Sequence, residues 1–201
     1  MGEPIEQYIR DAIGTPSGKA ISDSRRQVKA WFERSAPLIV WDEFRSPLGR
    51  LYVAASERGV CHVAFGIKRE DFLAKLDPLA RVRHDPQALA EVVSQLQAYF
   101  QQPALRFELP LDLSRTTPFQ RAALQLIRQI PPGQVWTYKQ VAEALNKPTA
   151  SRAVGQAMAH NPVPIIVPCH RIVGSNGALT GYGGGGGIDN KRRLLQMEGA
   201  L

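Results

Sequence analysis

From residue 38 onward, apolar and polar side chains alternate, which is the period of a strand with one buried face. The alternation covers residues 38–44, 50–55 and 60–65, and the runs are separated by Ser46-Pro47-Leu48-Gly49 and Ser56-Glu57-Arg58-Gly59. Turn-formers at these two places predict an antiparallel meander. Residues 69–75 have the spacing of a short helix, and residues 80–84 that of an edge strand. A longer helix is expected from Asp85 to about Gln101, because Leu89, Val92, Val93, Leu96 and Phe100 share one stripe. Alternation resumes over residues 107–113 and would return the chain to the sheet.

On either side of this block the period is helical. Upstream, Ile5, Tyr8, Ile9, Ala12 and Ile13 form one set and Val28, Trp31 and Phe32 another, with the breaker Gly14-Thr15-Pro16-Ser17-Gly18 between them. Two short helices around a loop are expected. Downstream, Thr117 is a candidate cap and Pro118 the first residue of a helix with Phe119, Ala122, Ala123, Leu126, Ile127 and Ile130 on its apolar face. Pro131-Pro132-Gly133 stops it. Residues 135–137 read as a connector, with Thr137 capping a helix over residues 138–145. A tight turn at residues 146–149 leads to a second short helix over residues 150–160, which is helix-turn-helix spacing. The expected fold is therefore α/β in two domains. A helical extension (1–36) precedes a small α/β domain with an antiparallel sheet (37–113), and a mainly helical domain with a helix-turn-helix follows (114–201).

Charge separates these parts. The chain carries +7 overall, yet residues 1–113 hold equal numbers of basic and acidic side chains. Residues 114–201 hold ten Lys and Arg against Glu143, Asp189 and Glu198 alone. A basic half beside a neutral one suggests a polyanionic partner, most often nucleic acid. No apolar run is long enough to span a bilayer, and the first residues lack the charge and apolar core of a secretory signal. With two cysteines in 201 residues, a reduced, cytoplasmic protein is the simpler expectation, nuclear in a eukaryote.

The chemistry concentrates near the end of the basic half. Ile165–Val167 is a β-branched run of strand type that Pro168 closes, and Cys169, His170 and Arg171 follow at once. A rigid strand would aim the thiol, and a base and a fixed cation beside it would lower its pKa. An inert buried cysteine accounts for these residues equally well taken alone. Cys61 is read as such an inert residue, on the opposite strand face from His62. The helix over residues 150–160 is made of small residues with Arg152 as its one charge. Such a surface suits close approach to a narrow groove, or else tight packing inside the protein.

Several motifs occur in order with tight spacing: Thr137-Tyr138, Ser151-Arg152-Ala153-Val154-Gly155, Asn161-Pro162-Val163-Pro164, Ile166-Val167-Pro168-Cys169-His170-Arg171, Leu179-Thr180-Gly181-Tyr182 and Lys191…Glu198-Gly199. Together they resemble the O6-alkylguanine-DNA alkyltransferase family, also called methylated-DNA–protein-cysteine methyltransferases. The resemblance implies a DNA repair protein that moves an alkyl group from O6 of guanine irreversibly to its own Cys169, once per molecule. O4-methylthymine is an open second substrate. His170 would be the base, acting through a water and oriented by Glu198, and Tyr138 would supply a proton to the leaving guanine. The base would be flipped out of the duplex, with Arg152 filling its place from the minor groove. Ser151, Ala153, Gly155, Lys139 and Lys147 would meet DNA, with Arg121 and Arg128 adding to a salt-dependent attraction. Asn161 would brace the loop under Cys169. Met158, Pro164, Val173, Tyr182 and Gly183 would form the base pocket. The partner implied is duplex DNA, with no membrane and no cofactor, and the protein is expected to be a monomer.

Three departures accompany the resemblance. Gly183–Gly187 lengthens the small-residue loop, so a more mobile pocket wall is expected. Gly183 offers a backbone donor but no hydroxyl, and Gln156 is bulkier than usual for that helix. A structural zinc is not expected with only Cys61 and Cys169 available. The rivals are a DNA-binding module without chemistry and a thiol hydrolase built on Cys169, His170 and Glu198.

Overall fold

The structure, a computed structural model, describes residues 18–201. The chain divides into two units, Met1–Pro37 and Leu38–Leu201. In the first unit, helix α1 (Gly18–Ser35) contains the expected Val28, Trp31 and Phe32 stripe, and the helix expected over residues 5–13 lies outside the described residues.

The alternation beginning at Leu38 does form strands: β1 (Leu38–Ser46), β2 (Gly49–Ser56) and β3 (Gly59–Phe65) make an antiparallel meander. After helix α2 (Arg69–Leu73), β4 (Arg81–His84) joins β1 in parallel, giving the order β3-β2-β1-β4. The sheet is thus antiparallel with one parallel edge strand. A bulge interrupts the β2–β3 register, where Ala54 faces His62 and Ala55 faces Val60. Cys61 is the extra residue, and extra residues break side-chain alternation. Cys61 accordingly packs toward the cluster containing Phe72, and the His62 ring lies 5.7 Å from Phe72. The two do not point to opposite faces as alternation had predicted.

Helix α3 (Ala90–Gln101) starts later than Asp85, because the Asp85 carboxylate accepts from the Ala88 N–H at 3.0 Å and holds a turn there. Residues 107–113 do not become a full strand. Pro110 has no N–H to give a ladder, and only one bridge forms, with Val60 N–H donating to the Pro110 carbonyl and Asp112 N–H to the Val60 carbonyl.

Helix α4 (Pro118–Ile127) begins as expected, with the Thr117 hydroxyl accepting from Gln120 N–H and Pro118 at the first position. Thr137 caps α5 (Tyr138–Ala144) in a reciprocal box with Gln140, and α6 (Ser151–Ala159) follows after the turn. The connector before α5 is itself a strand. β5 (Trp136–Thr137) pairs in parallel with β6 (Ile172–Val173), and so holds the start of α5 beside the segment that follows Cys169. Helix α7 (Gly187–Met197) closes the chain. One apolar core runs from Val53 and Phe65 of the sheet through Leu96, Leu124, Val141 and Val154 to Leu194.

The run expected as a strand before Cys169 is not one. Pro162, Pro164 and Pro168 remove three ladder donors, and the segment turns, with Ile165 at φ +75°. Positive φ strains a β-branched residue, and complete burial of Ile165, Ile166 and Val167 holds it there. Within the glycine run, Gly183 and Gly185 lie hard against backbone from elsewhere in the chain, whereas Gly187 does not. A Cβ on Gly185 would lie 1.5 Å from the Phe65 carbonyl oxygen, and one on Gly183 would lie 2.2 Å from that of Ala159. Gly187, at φ +57°, has open space around it. Gly185→Ala should therefore lower the melting temperature by several degrees, a loss of about 2 kcal/mol or more. Gly187→Asn, which tolerates the left-handed region, should change it by less than about 1 kcal/mol. Equal thermal shifts for the two variants would contradict this packing.

Candidate active site

Cys169, His170 and Arg171 form a single 3-10 turn, and all three are buried. The turn is built by backbone bonds from Cys169 N–H to the Val167 carbonyl and from Arg171 N–H to the Pro168 carbonyl, both 2.9 Å. Asn161 braces it from upstream. Its amide nitrogen donates to the Val167 carbonyl at 2.8 Å, and its amide oxygen accepts from Val163 N–H at 3.0 Å.

Glu198, at the C-terminal end of α7, places its carboxylate under this turn with no side-chain exposure. Four donors converge on it. His170 Nε2 lies 2.9 Å from Oε1, Arg171 grips both oxygens at 2.7 and 2.8 Å, and the Tyr99 hydroxyl donates at 2.6 Å from α3. Arg171 also donates to the Ile130 carbonyl. Burial alone would raise the Glu198 pKa, but the bonds from His170 and Arg171 outweigh it and hold the carboxyl at about 2. An ionised carboxylate only accepts, so His170 carries its proton on Nε2 and leaves the Nδ1 lone pair free. Nδ1 is buried and has no hydrogen-bond partner among the described residues. Burial, opposed by Glu198, keeps the imidazole pKa below its ordinary value, so the ring is neutral near pH 7.

The thiol departs from expectation. Burial pushes the Cys169 pKa up to about 11, and the Asn161 hydrogen bond and the Lys191 charge only partly oppose it. Proximity of cations had suggested a lowered value, but in this closed setting desolvation dominates. Lys191 is itself fully buried, donates to the carbonyls of Ile172 at 2.6 Å and Thr180 at 2.9 Å, and is lowered by burial to about 8.

A cavity of about 810 Å³ is lined by Tyr138, Lys139, Ser151, Arg152, Gly155, Met158, Thr180, Tyr182 and Gly183 among others, and the buried Cys169 is not among its lining residues. Arg152, Ala153 and Gln156 are exposed on α6, while Val154, Ala157 and Met158 are buried. A Cβ on Gly155 would meet only the Tyr138 ring, at 3.9 Å. Internal packing therefore does not demand this glycine, and the smooth face of α6 is presented outward. Among the described residues no cluster of three or more His, Cys, Asp or Glu side chains is placed to hold a metal ion.

The sequence model of the 6-O-methylguanine DNA methyltransferase DNA-binding domain matches residues 118–200, and that of the same family's ribonuclease-like domain matches residues 39–113. The chain belongs to the 6-O-methylguanine DNA methyltransferase family. The methylated-DNA–protein-cysteine methyltransferase of Methanosarcina barkeri is 38% identical over 160 residues, which is 79% of this chain and 96% of that protein. The constitutive enzyme of that name from Bacillus subtilis is 40% identical over 154 residues, 76% of this chain and 91% of its own length. Among solved structures, Mycobacterium tuberculosis OGT in complex with DNA superposes with a TM-score of 0.69 at 37% identity, covering 80% of this chain and 93% of that one. The two-part fold, a sheet domain followed by a helical part, is the fold of this methyltransferase family.

Cys169, His170 and Glu198 come together in this family member, and Tyr138, Arg152, Ser151, Gly155, Lys139, Met158, Tyr182 and Gly183 share the cavity. Others stand apart from it. Lys147 extends over the Phe119 ring at 5.4 Å, Pro164 and Val173 are buried and do not line the cavity, and Ala153 lies on the exposed face of α6. Sequence reading missed Tyr99; it took Arg171 as a cation acting on the thiol, whereas Arg171 grips Glu198, and it gave Lys191 no role. Tyr99 sits three residues after Leu96 on the apolar stripe of α3, where a lone hydroxyl among core residues was the available signal.

The raised thiol gives a direct check. Because the folded state favours the protonated form, reaction of Cys169 with iodoacetamide should stay slow through pH 9 and rise towards pH 11, as read by peptide mass mapping. In denaturant the rise should move down to about pH 8.5. A folded-state midpoint below pH 8.5 would contradict a desolvated thiol.

Proposed function

We propose that this protein repairs O6-alkylguanine in duplex DNA by taking the alkyl group onto the Cys169 sulfur. The observation that carries this reading is the buried Cys169–His170–Glu198 constellation, in which Glu198 leaves His170 Nδ1 free as the base. Family membership supports the substrate class.

The reaction is one displacement at carbon. His170 Nδ1 takes the Cys169 proton through a water, and the Glu198 carboxylate stabilises the imidazolium that results. The sulfur attacks the alkyl carbon, an S–C bond forms, and the C–O6 bond breaks. Guanine leaves with the electron pair and takes a proton at a ring nitrogen from the Tyr138 hydroxyl. Nothing in this scheme removes the alkyl group from sulfur, so each molecule acts once.

A thiol with a pKa near 11 is nearly all protonated at pH 7. Its reactivity therefore depends on proton transfer to His170 at the moment of attack rather than on a standing thiolate. The target base must leave the stack, at an unstacking cost of a few kcal/mol, roughly. Arg152 would fill the gap it leaves, a reading supported by its exposure at the start of α6 and its place in the cavity lining. Acting on DNA, the protein would work in the compartment that holds it. Among the described residues no helix is long and apolar enough to cross a membrane.

With duplex DNA carrying O6-methylguanine labelled in the methyl group, label should appear on Cys169 and stop at one equivalent per protein. Label on another residue, or continuing turnover, would overturn the proposal. His170→Ala should slow the transfer by about a hundredfold or more, since a positioned base supplies about that factor. Arg152→Ala should reduce the slope of log affinity against log salt by about one. An unchanged slope together with an unchanged rate on duplex substrate would remove Arg152 from the groove.

A further inference from the structure

The Leu179-Thr180-Gly181-Tyr182 motif contributes one side chain that the mechanism above does not use. The Thr180 hydroxyl donates to the Tyr138 hydroxyl oxygen at 3.2 Å, across 42 residues of sequence. Both residues line the cavity of about 810 Å³. Thr180 is held in place from its backbone, where Lys191 Nζ donates to its carbonyl at 2.9 Å while also gripping the Ile172 carbonyl at 2.6 Å. The same ammonium lies 6.0 Å from the centroid of the Tyr138 ring. Lys191 thereby ties together the segment after Cys169, the wall carrying Thr180 and the ring of Tyr138.

We propose that Thr180 is a positioning residue for Tyr138, its hydroxyl donating to the phenol oxygen and so turning the phenol proton toward the leaving guanine. The inference rests on the reading of Tyr138 as the proton donor. A phenol hydroxyl is both donor and acceptor, and rotation of its hydrogen decides which neighbour it serves. A purine ring nitrogen with a lone pair only accepts. Once such a base is seated, the Tyr138 proton must point to it, and the phenol oxygen is left to accept from Thr180. A hydroxyl that accepts one hydrogen bond donates its own more strongly, because bonds in a chain polarise one another. In the open cavity water competes for both hydroxyls. A seated base excludes that water, and the Thr180–Tyr138–base chain then becomes the route by which charge on the departing guanine is met.

The chain of contacts predicts a rate effect without a binding effect. In single-turnover transfer at saturating DNA, Thr180→Val, which keeps the shape and loses the hydroxyl, should be about fivefold slower, the size of one neutral hydrogen bond. Its DNA affinity and melting temperature should match the parent. Thr180→Ser keeps the hydroxyl and should restore most of the rate. In the Tyr138→Phe background, Thr180→Val should add no further loss, as for two groups acting through one bond. Thr180→Val at the parent rate with Tyr138→Phe slow would overturn this inference and leave the donor reading standing. Losses that multiply in the double variant, or Thr180→Ser as slow as Thr180→Val, would also overturn it. If Tyr138→Phe transfers at the parent rate, the donor reading itself fails, and the role of Thr180 falls with it.

Discussion

One buried carboxylate organises the molecule. Glu198 has no exposed side-chain surface, and an ionised carboxylate in such a place is costly unless its lone pairs are filled. Here Tyr99 comes from α3, His170 and Arg171 come from the 3-10 turn, and Glu198 ends α7. The same four bonds that make the charge tolerable also lock the imidazole tautomer and fix the turn that carries the thiol. The sheet-bearing region contributes Tyr99 to this junction, so it does more than shelter the basic helices. Loss of any one donor would leave the carboxylate under-satisfied and let the imidazole rotate.

Two opposite electrostatic regimes occur in the basic half. The outer face of the basic half, with Arg152 and Lys139 exposed at the cavity rim, is solvated and suited to a polyanion. At Cys169 the environment is dry enough to keep a thiol neutral despite the charge of Lys191, and to depress that fully buried lysine in turn. The positive charge favours an anionic partner, and the dry interior favours the protonated thiol. Charge counted along the sequence predicts the first behaviour and misleads about the second, because the sign of a pKa shift depends on burial as much as on neighbours.

The same division marks what the sequence made legible. Period-two alternation located β1, β2 and β3, and Thr117 and Thr137 marked the starts of α4 and α5, because these signals are local. Three features escaped. The apolar run at residues 165–167 resembled a strand, but burial pattern cannot tell a strand from a buried turn, and the surrounding prolines were the better guide. The two-residue ribbon of β5 and β6 is too short to leave a periodic trace. Tyr99 meets Glu198 across 99 positions, and no local pattern encodes that meeting. Within the site, the Cys169–His170–Glu198 grouping was anticipated through motif order, and the neutral state of the thiol was not.

The ribbon joining Trp136–Thr137 to Ile172–Val173 has a kinetic meaning as well. Contacts between segments far apart in sequence close late, after loop entropy has been overcome. Both the ribbon and the Tyr99–Glu198 bond are of this kind, so the imidazole acquires its orientation only when the last helix docks. A chain still emerging from synthesis, or briefly opened by a fluctuation, carries an ordinary thiol without its paired base. Arming is thereby coupled to completion of the fold. A nucleophile whose activation waits on the completed fold is thereby shielded from electrophiles met earlier.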